Sequence, residues 1–135
     1  MLDTNVLVAA FRSALGASFR LLQTIEERRW QPVISPALVF EYESVLKRNL
    51  PNFGLTIQDI DDFTDYLLSR SKLVQIYFRW RPFLRDPDDD RILDVAVRTH
   101  ALLVTFNARD FKGADQFGVR VISPKELLTL VRGHT

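Results

Sequence analysis

Short, almost wholly apolar runs at residues 31–34, 73–77, 102–105 and 119–122, with the end of another at 1–3, are separated along this chain by helix-patterned segments. That alternation restricts the fold more than any other feature. Parallel strands need a crossover between them, usually a helix, and a strand covered on both faces reads as a continuous apolar run. The pattern therefore predicts an α/β fold with a parallel sheet covered by helices. The helices are expected at 4–11, 17–29, 37–49, from 57, from 86 to about 99, and from 124. Ser35-Pro36 supplies an N-cap and a first-turn proline, Thr56 caps the next helix, and Ser123-Pro124-Lys125-Glu126 is a capping box. Residues 50–55 read as a loop, and 79–85 as an irregular basic segment.

With 135 residues, 47% of them hydrophobic and 26% charged, the chain is long enough for one domain, spanning 1–135, with its own core. Zero cysteines exclude disulfides and thiolate metal sites, and two histidines argue against zinc. No apolar run approaches the ~20 residues of a membrane span, and no signal-peptide pattern opens the chain. A soluble, cytoplasmic protein with no membrane partner is expected. A net charge of +1 is too mild to imply nucleic acid, although 14 of the 18 basic residues are arginine, whose planar fork suits phosphate.

Function is carried by the acids. Asp86, Asp88, Asp89 and Asp90 put four carboxylates within five positions, where a helix N-terminus gains only ~0.3–1 kcal/mol from each of one or two. Such a cluster is either a solvated, well-capped helix start or a group with a compensating cation, arginine or a divalent metal. In parallel α/β folds, ligands gather at the carboxyl ends of strands, which is where Asp3, Asn107 and Asp110 fall. Glu41 shares a helix face with Leu38 and Val45, so it is an inward carboxylate, costly unless paired. Glu43 lies on the opposite side, spaced to pair with Lys47. Helix faces are also expected from Phe19, Leu22, Ile25 and Glu26, and from Ile57, Ile60, Phe63, Thr64, Leu67 and Leu68 inward.

Four blocks, Leu-Asp-Thr-Asn-Val-Leu-Val at 2–8, Ser-Pro-Ala-Leu-Val-Phe-Glu at 35–41, Asp-Pro-Asp-Asp-Asp-Arg-Ile-Leu at 86–93 and Val-Thr-Phe-Asn-Ala-Arg-Asp-Phe at 104–111, resemble in order and spacing the PIN domain. More narrowly, they look like the toxins of prokaryotic toxin–antitoxin pairs. The resemblance implies a three-layer α/β/α fold with a five-stranded parallel sheet, and a metal-dependent endoribonuclease. It places the acids on Asp3, Glu41 and Asp90, with Asn107 at the fourth position, where many relatives carry aspartate, and Asp110 as its alternative. Thr4, Asn5, Ser35 and Thr105 fall in the same blocks and would orient ligands or water, or else serve turns and caps. An antitoxin protein and a homodimer are implied as partners.

The chemistry agrees. Phosphodiester hydrolysis needs an activated water and neutralised phosphoryl charge, which Mg2+ or Mn2+ supplies, and these hard cations select carboxylate oxygen. Asp3, Asp90 and the fourth position are expected to coordinate, and Glu41 to coordinate or to hold the attacking water. Arg79, Trp80 and Arg81, together with Arg12 and Arg109, are candidate RNA contacts through phosphate pairing and base stacking. Two other classes compete: a catalytically weak PIN-like module that binds RNA or protein, favoured by Asn107, and an α/β phosphatase or phosphotransfer domain with Asp3 as nucleophile. The latter lacks a second aspartate at position 5 and leaves Glu41 idle. Only two residues precede Asp3, so the first strand is expected to be short unless residues upstream of Met1 extend it.

Overall fold

Helices begin where a side chain is available to satisfy the orphan amides of the first turn. In a computed structural model, which describes residues 1–75 and 87–133 and only the backbone of 87, 88, 90, 91 and 94, this governs three helix starts. The Ser35 hydroxyl accepts from Leu38 N (3.2 Å) at the head of α3 (Pro36–Arg48), preceded by α1 (Thr4–Arg12) and α2 (Ala17–Gln23). After the short α4 (Leu50–Phe53), Thr56 and Asp59 form a reciprocal capping box on α5 (Ile57–Arg70). Following α6 (Pro87–Thr99), Ser123 and Glu126 do the same for α7 (Pro124–Gly133), each bond 3.1 Å. Caps of this kind contribute ~1 kcal/mol each.

Three local expectations are corrected. The helix predicted over 17–29 stops at Gln23 and tightens into a 3-10 turn, Thr24–Glu27, closed by Arg28 at φ 57°. There the Thr24 hydroxyl bonds Leu21 O (2.6 Å) and receives Trp30 Nε1 (2.8 Å), fixing the turn by side-chain bonds that the helix alone would not make. The buried positions are Ser18, Leu21, Thr24 and Ile25, with Phe19 and Leu22 half-buried and Glu26 exposed. Residues 50–55 are not a plain loop: α4 forms with Pro51 in its first turn, seats Phe53 on Phe11 (centroids 5.7 Å apart), and ends at Gly54 in the left-handed region. On α5, Ile60, Thr64 and Leu67 are buried, whereas Ile57 and Leu68 are exposed because the apolar stripe is wider than the surface that covers it.

The sheet is smaller than expected. Among the described residues, β1 (Val33–Ile34) pairs in parallel with β2 (Lys72–Leu73), and β3 (Leu103–Val104) with β4 (Val121–Ile122), in place of one five-stranded sheet. Leu2 adds a parallel bridge to Val104, through Asp3 N to Val104 O (2.8 Å) and Val104 N to Met1 O (2.9 Å). Successive peptide groups of a strand point to alternate sides, so the Leu2 carbonyl faces away from β3. It accepts the buried Tyr42 hydroxyl of α3, so a helix side chain takes the bond that a further strand would have made. Both residues of β2 are exposed, so it is not a buried run, and among the described residues it pairs with β1 alone.

α6 packs on both β1 and β3, α2 on α1 and α7, and α3 on α1 and α5. Leu2, Leu7, Leu21, Ile34, Leu46, Ile60, Leu93 and Leu103 lie in one continuous core. Among the described residues no single helix is long and apolar enough to cross a membrane, and α1 with the segment 17–27 qualifies only as a pair bent by 101°.

Candidate active site

Asp3 occupies the N-cap position of α1, yet its carboxylate closes no capping bond. It turns instead to Thr105, the residue after β3, whose hydroxyl donates to Asp3 Oδ2 at 2.6 Å. Thr105 Oγ1 in turn accepts from Asn5 Nδ2 (3.3 Å) and from the Asn107 amide (3.0 Å). A threonine hydroxyl has one proton and two lone pairs, so Thr105 is fully used. Asn5 in turn accepts the Phe106 amide on Oδ1 (3.4 Å). The start of α1 and the end of β3, about a hundred residues apart in sequence, are thereby stitched together by side chains.

The second acid arrives from α3. Glu41 sits at the edge of the buried stripe formed by Leu38, Tyr42 and Leu46, and its Oε2 accepts the Thr4 hydroxyl at 2.6 Å. Tyr42 links the two acids from beneath through its bond to Leu2 O. Burial, followed by the charges of Asp3 and Glu41, pushes the Tyr42 phenol well above its usual range, so it keeps its proton and remains a donor.

Asp3 and Glu41 open into one cleft of about 690 Å³. Its walls follow helical spacing: Asn5, Val8, Ala9 and Arg12 from α1, Glu41, Val45 and Asn49 from α3, and Asp89 and Ile92 from α6, with Phe106 at the rim. Arg12 Nη2 reaches Asn49 Oδ1 at 3.5 Å, holding its guanidinium on the wall. Desolvation raises the Asp3 carboxyl above its ordinary 3.8, opposed by the Thr105 bond and the nearby Thr4 and Asn5 amides, and reinforced by the charge of Asp110. No basic side chain among the described residues offsets that rise.

Several expected residues are brought together here, and others are not. Asp3, Thr4, Asn5, Arg12 and Glu41 line the cleft, and Thr105 braces it from behind. Asn107 contributes its amide to Thr105 and is exposed, as are Asp110 and Arg109 on the 3-10 turn Ala108–Phe111. Ser35 is spent on the α3 cap. Lys47 pairs with Asp61 of α5 (2.9 Å), correcting the expected Glu43 partner. The Asp90 side chain, and Arg79, Trp80 and Arg81, lie outside the described residues; the α6 carboxylate seen in the cleft is that of Asp89, one position earlier. Among the described residues no three acidic or histidine side chains form a group able to hold a metal ion. Phe106, Asn49 and Tyr42 were not singled out by sequence: Phe106 and Tyr42 adjoin Thr105 and Glu41 in the chain, while Asn49 meets Arg12 only through the fold.

A family model described as a PIN domain matches residues 1–109, a span that contains Asp3, Glu41, Asp89 and Thr105. No curated protein and no solved structure matches the chain significantly. Because the match runs over most of the chain and takes in every wall of the acidic cleft, the chain belongs to the PIN domain family, whose members are in general nucleases.

Proposed function

We propose that this chain is a divalent-metal-dependent endoribonuclease whose site is the cleft between α1, α3 and α6. The observation that carries the reading is the pair Asp3 and Glu41, each with one oxygen held by a threonine hydroxyl and both lining an open cleft beside Arg12. Capping and internal salt bridging, the structural uses of such acids, do not account for Asp3, which closes no cap and whose carboxyl is raised by burial.

The donor set fits Mg2+ or Mn2+. It is built of oxygen donors, mostly carboxylate, with no cysteine in the chain. Asp3, Glu41 and the Asp89–Asp90 pair would hold the ion, with Asn107 or Asp110 closing the set. When bound, the ion polarises the phosphoryl oxygens and lowers the pKa of water. The rest of the work falls to the protein's own residues. Thr105 holds Asp3 Oδ2 and Thr4 holds Glu41 Oε2, so both carboxylates are oriented by a hydroxyl before any ligand arrives. Glu41 is then placed to accept a proton from the attacking water, and Arg12 to pair with a phosphate on the strand.

The four sequence blocks support a narrower role as the toxin of a toxin–antitoxin pair, cytoplasmic, possessing one nuclease domain, and forming a homodimer. Cleavage of a mixed RNA with Mg2+ or Mn2+, its loss with chelator, and its loss in Asp3→Asn test the core of the reading. Chelator-insensitive cleavage would refute it. Asn107 at the fourth position favours one alternative, a PIN-like module that binds RNA or a protein with little turnover, for which RNA binding without cleavage in either metal is the signature.

A further inference from the structure

We propose that Phe106 is the platform on which an unpaired nucleobase of the substrate strand stacks beside the acidic cleft. The inference rests on the nuclease reading of the same cleft and adds to it a residue that positions the strand.

Phe106 is 51% exposed at the rim of the cleft that holds Asp3 and Glu41. Five residues on, Phe111 is buried to 2%, whereas Phe40, more exposed still at 72%, does not line the cleft. The exposure of Phe106 does not come from a loose backbone. Its amide is held by Asn5 Oδ1, the residue before it is the saturated Thr105, and the amide after it is bonded to Thr105 Oγ1. The backbone that carries the ring is pinned on both sides, so a ligand stacking on it does not have to immobilise the chain.

The surroundings select the occupant. Arg12 lies on the wall of the same cleft, giving a cation for a backbone phosphate alongside an aromatic face for a base, the pairing used by single-strand binding sites. In a duplex the base faces are stacked on one another, and a phenyl ring has no donor or acceptor with which to read a base edge. A strand with its bases free satisfies both groups at once.

The test uses the full chain with metal chelated, so that binding is read without cleavage, and a single-stranded oligoribonucleotide containing 2-aminopurine, followed by anisotropy and by quenching of the probe. Phe106→Ala and Phe106→Leu are each expected to weaken binding about tenfold and to abolish the quenching, while Phe106→Trp keeps both within about threefold of the parent. Phe106→Leu retains apolar bulk without a π-face, so its failure separates stacking from packing, and thermal melting of each variant checks that it is folded. Parental binding and quenching in the folded Ala and Leu variants would overturn the proposal while leaving metal-dependent cleavage untouched, and would turn attention to Phe106 as a protein contact. Phe106-dependent quenching in a protein that cleaves nothing would uphold the platform and sink the nuclease reading. No binding by the parent, or equal affinity for duplex, would overturn the platform.

Discussion

Replacing Thr105 by valine removes one oxygen and keeps the shape, so it isolates what that hydroxyl does. The lost bond to Asp3 is to a charged group and is worth about 1.5–3 kcal/mol, and the buried carboxylate is left without its donor. Asn5 and the Asn107 amide also lose an acceptor, but Asn5 is half-buried and Asn107 exposed, so water replaces much of that loss at ~0.5 kcal/mol each. Burying a methyl in place of the hydroxyl returns up to ~1 kcal/mol. The net expectation is a loss of about 2–3 kcal/mol, read by urea unfolding in chelator. The Thr105 bond also lowers the Asp3 carboxyl against desolvation, so its removal moves the acid limb of the nuclease pH profile to higher pH. Displacing Asp3 should cost ~10–100-fold in activity or metal affinity. Thr105→Ser keeps the hydroxyl and should retain the parental pH limb, losing only ~1 kcal/mol for the methyl. A valine variant within about 0.5 kcal/mol of the parent, with an unmoved acid limb, would show that Thr105 does not hold Asp3.

Glu41→Gln should abolish metal-dependent cleavage, while Glu43→Gln leaves it nearly intact; equal rates for the two in a gel assay would remove Glu41 from the site. Because the folded Asp3 carboxyl lies above its unfolded 3.8, the native state holds this proton more tightly. Its contribution is thus fully present below pH 3.8 and is lost as pH rises through the raised value. Asp3→Asn should accordingly melt higher than the parent at pH 7 in chelator, with the gap closing toward acid pH, and should lose the ~2.7 kcal/mol that the parent gains at a hundredfold excess of metal over its Kd. A lower melting point for Asp3→Asn across that range would contradict the assignment. Metal titration of Asn107→Asp and Asp110→Asn, by calorimetry, distinguishes the fourth position: tighter binding in the first with little change in the second assigns it to residue 107, and the reverse to Asp110. Tyr42→Phe leaves the Leu2 carbonyl unsatisfied in the core and should cost about 1–3 kcal/mol by denaturant unfolding.

Sequence alone determined what depends on neighbours a few residues apart. Ser35 with Leu38, Thr56 with Asp59 and Ser123 with Glu126 are all three-residue bonds, so the starts of α3, α5 and α7 were legible before any tertiary contact formed. The inward turn of Glu41 and the apolar runs at β3 and β4 were legible for the same reason, because a period of 3.6 or an unbroken apolar run is a local pattern. Partnerships were not. Lys47 had Glu43 one turn away and took Asp61 of another helix; Asp3 had its own helix to cap and took Thr105, 102 residues on; the Leu2 carbonyl took a tyrosine in place of a strand. A donor within one turn and a donor across the fold offer comparable bond energies, so the choice falls to whichever the packing of α1, α3 and β3 brings to about 3 Å. The extent of the sheet depended on the same packing, since a strand runs only as far as a neighbouring backbone is there to pair with it.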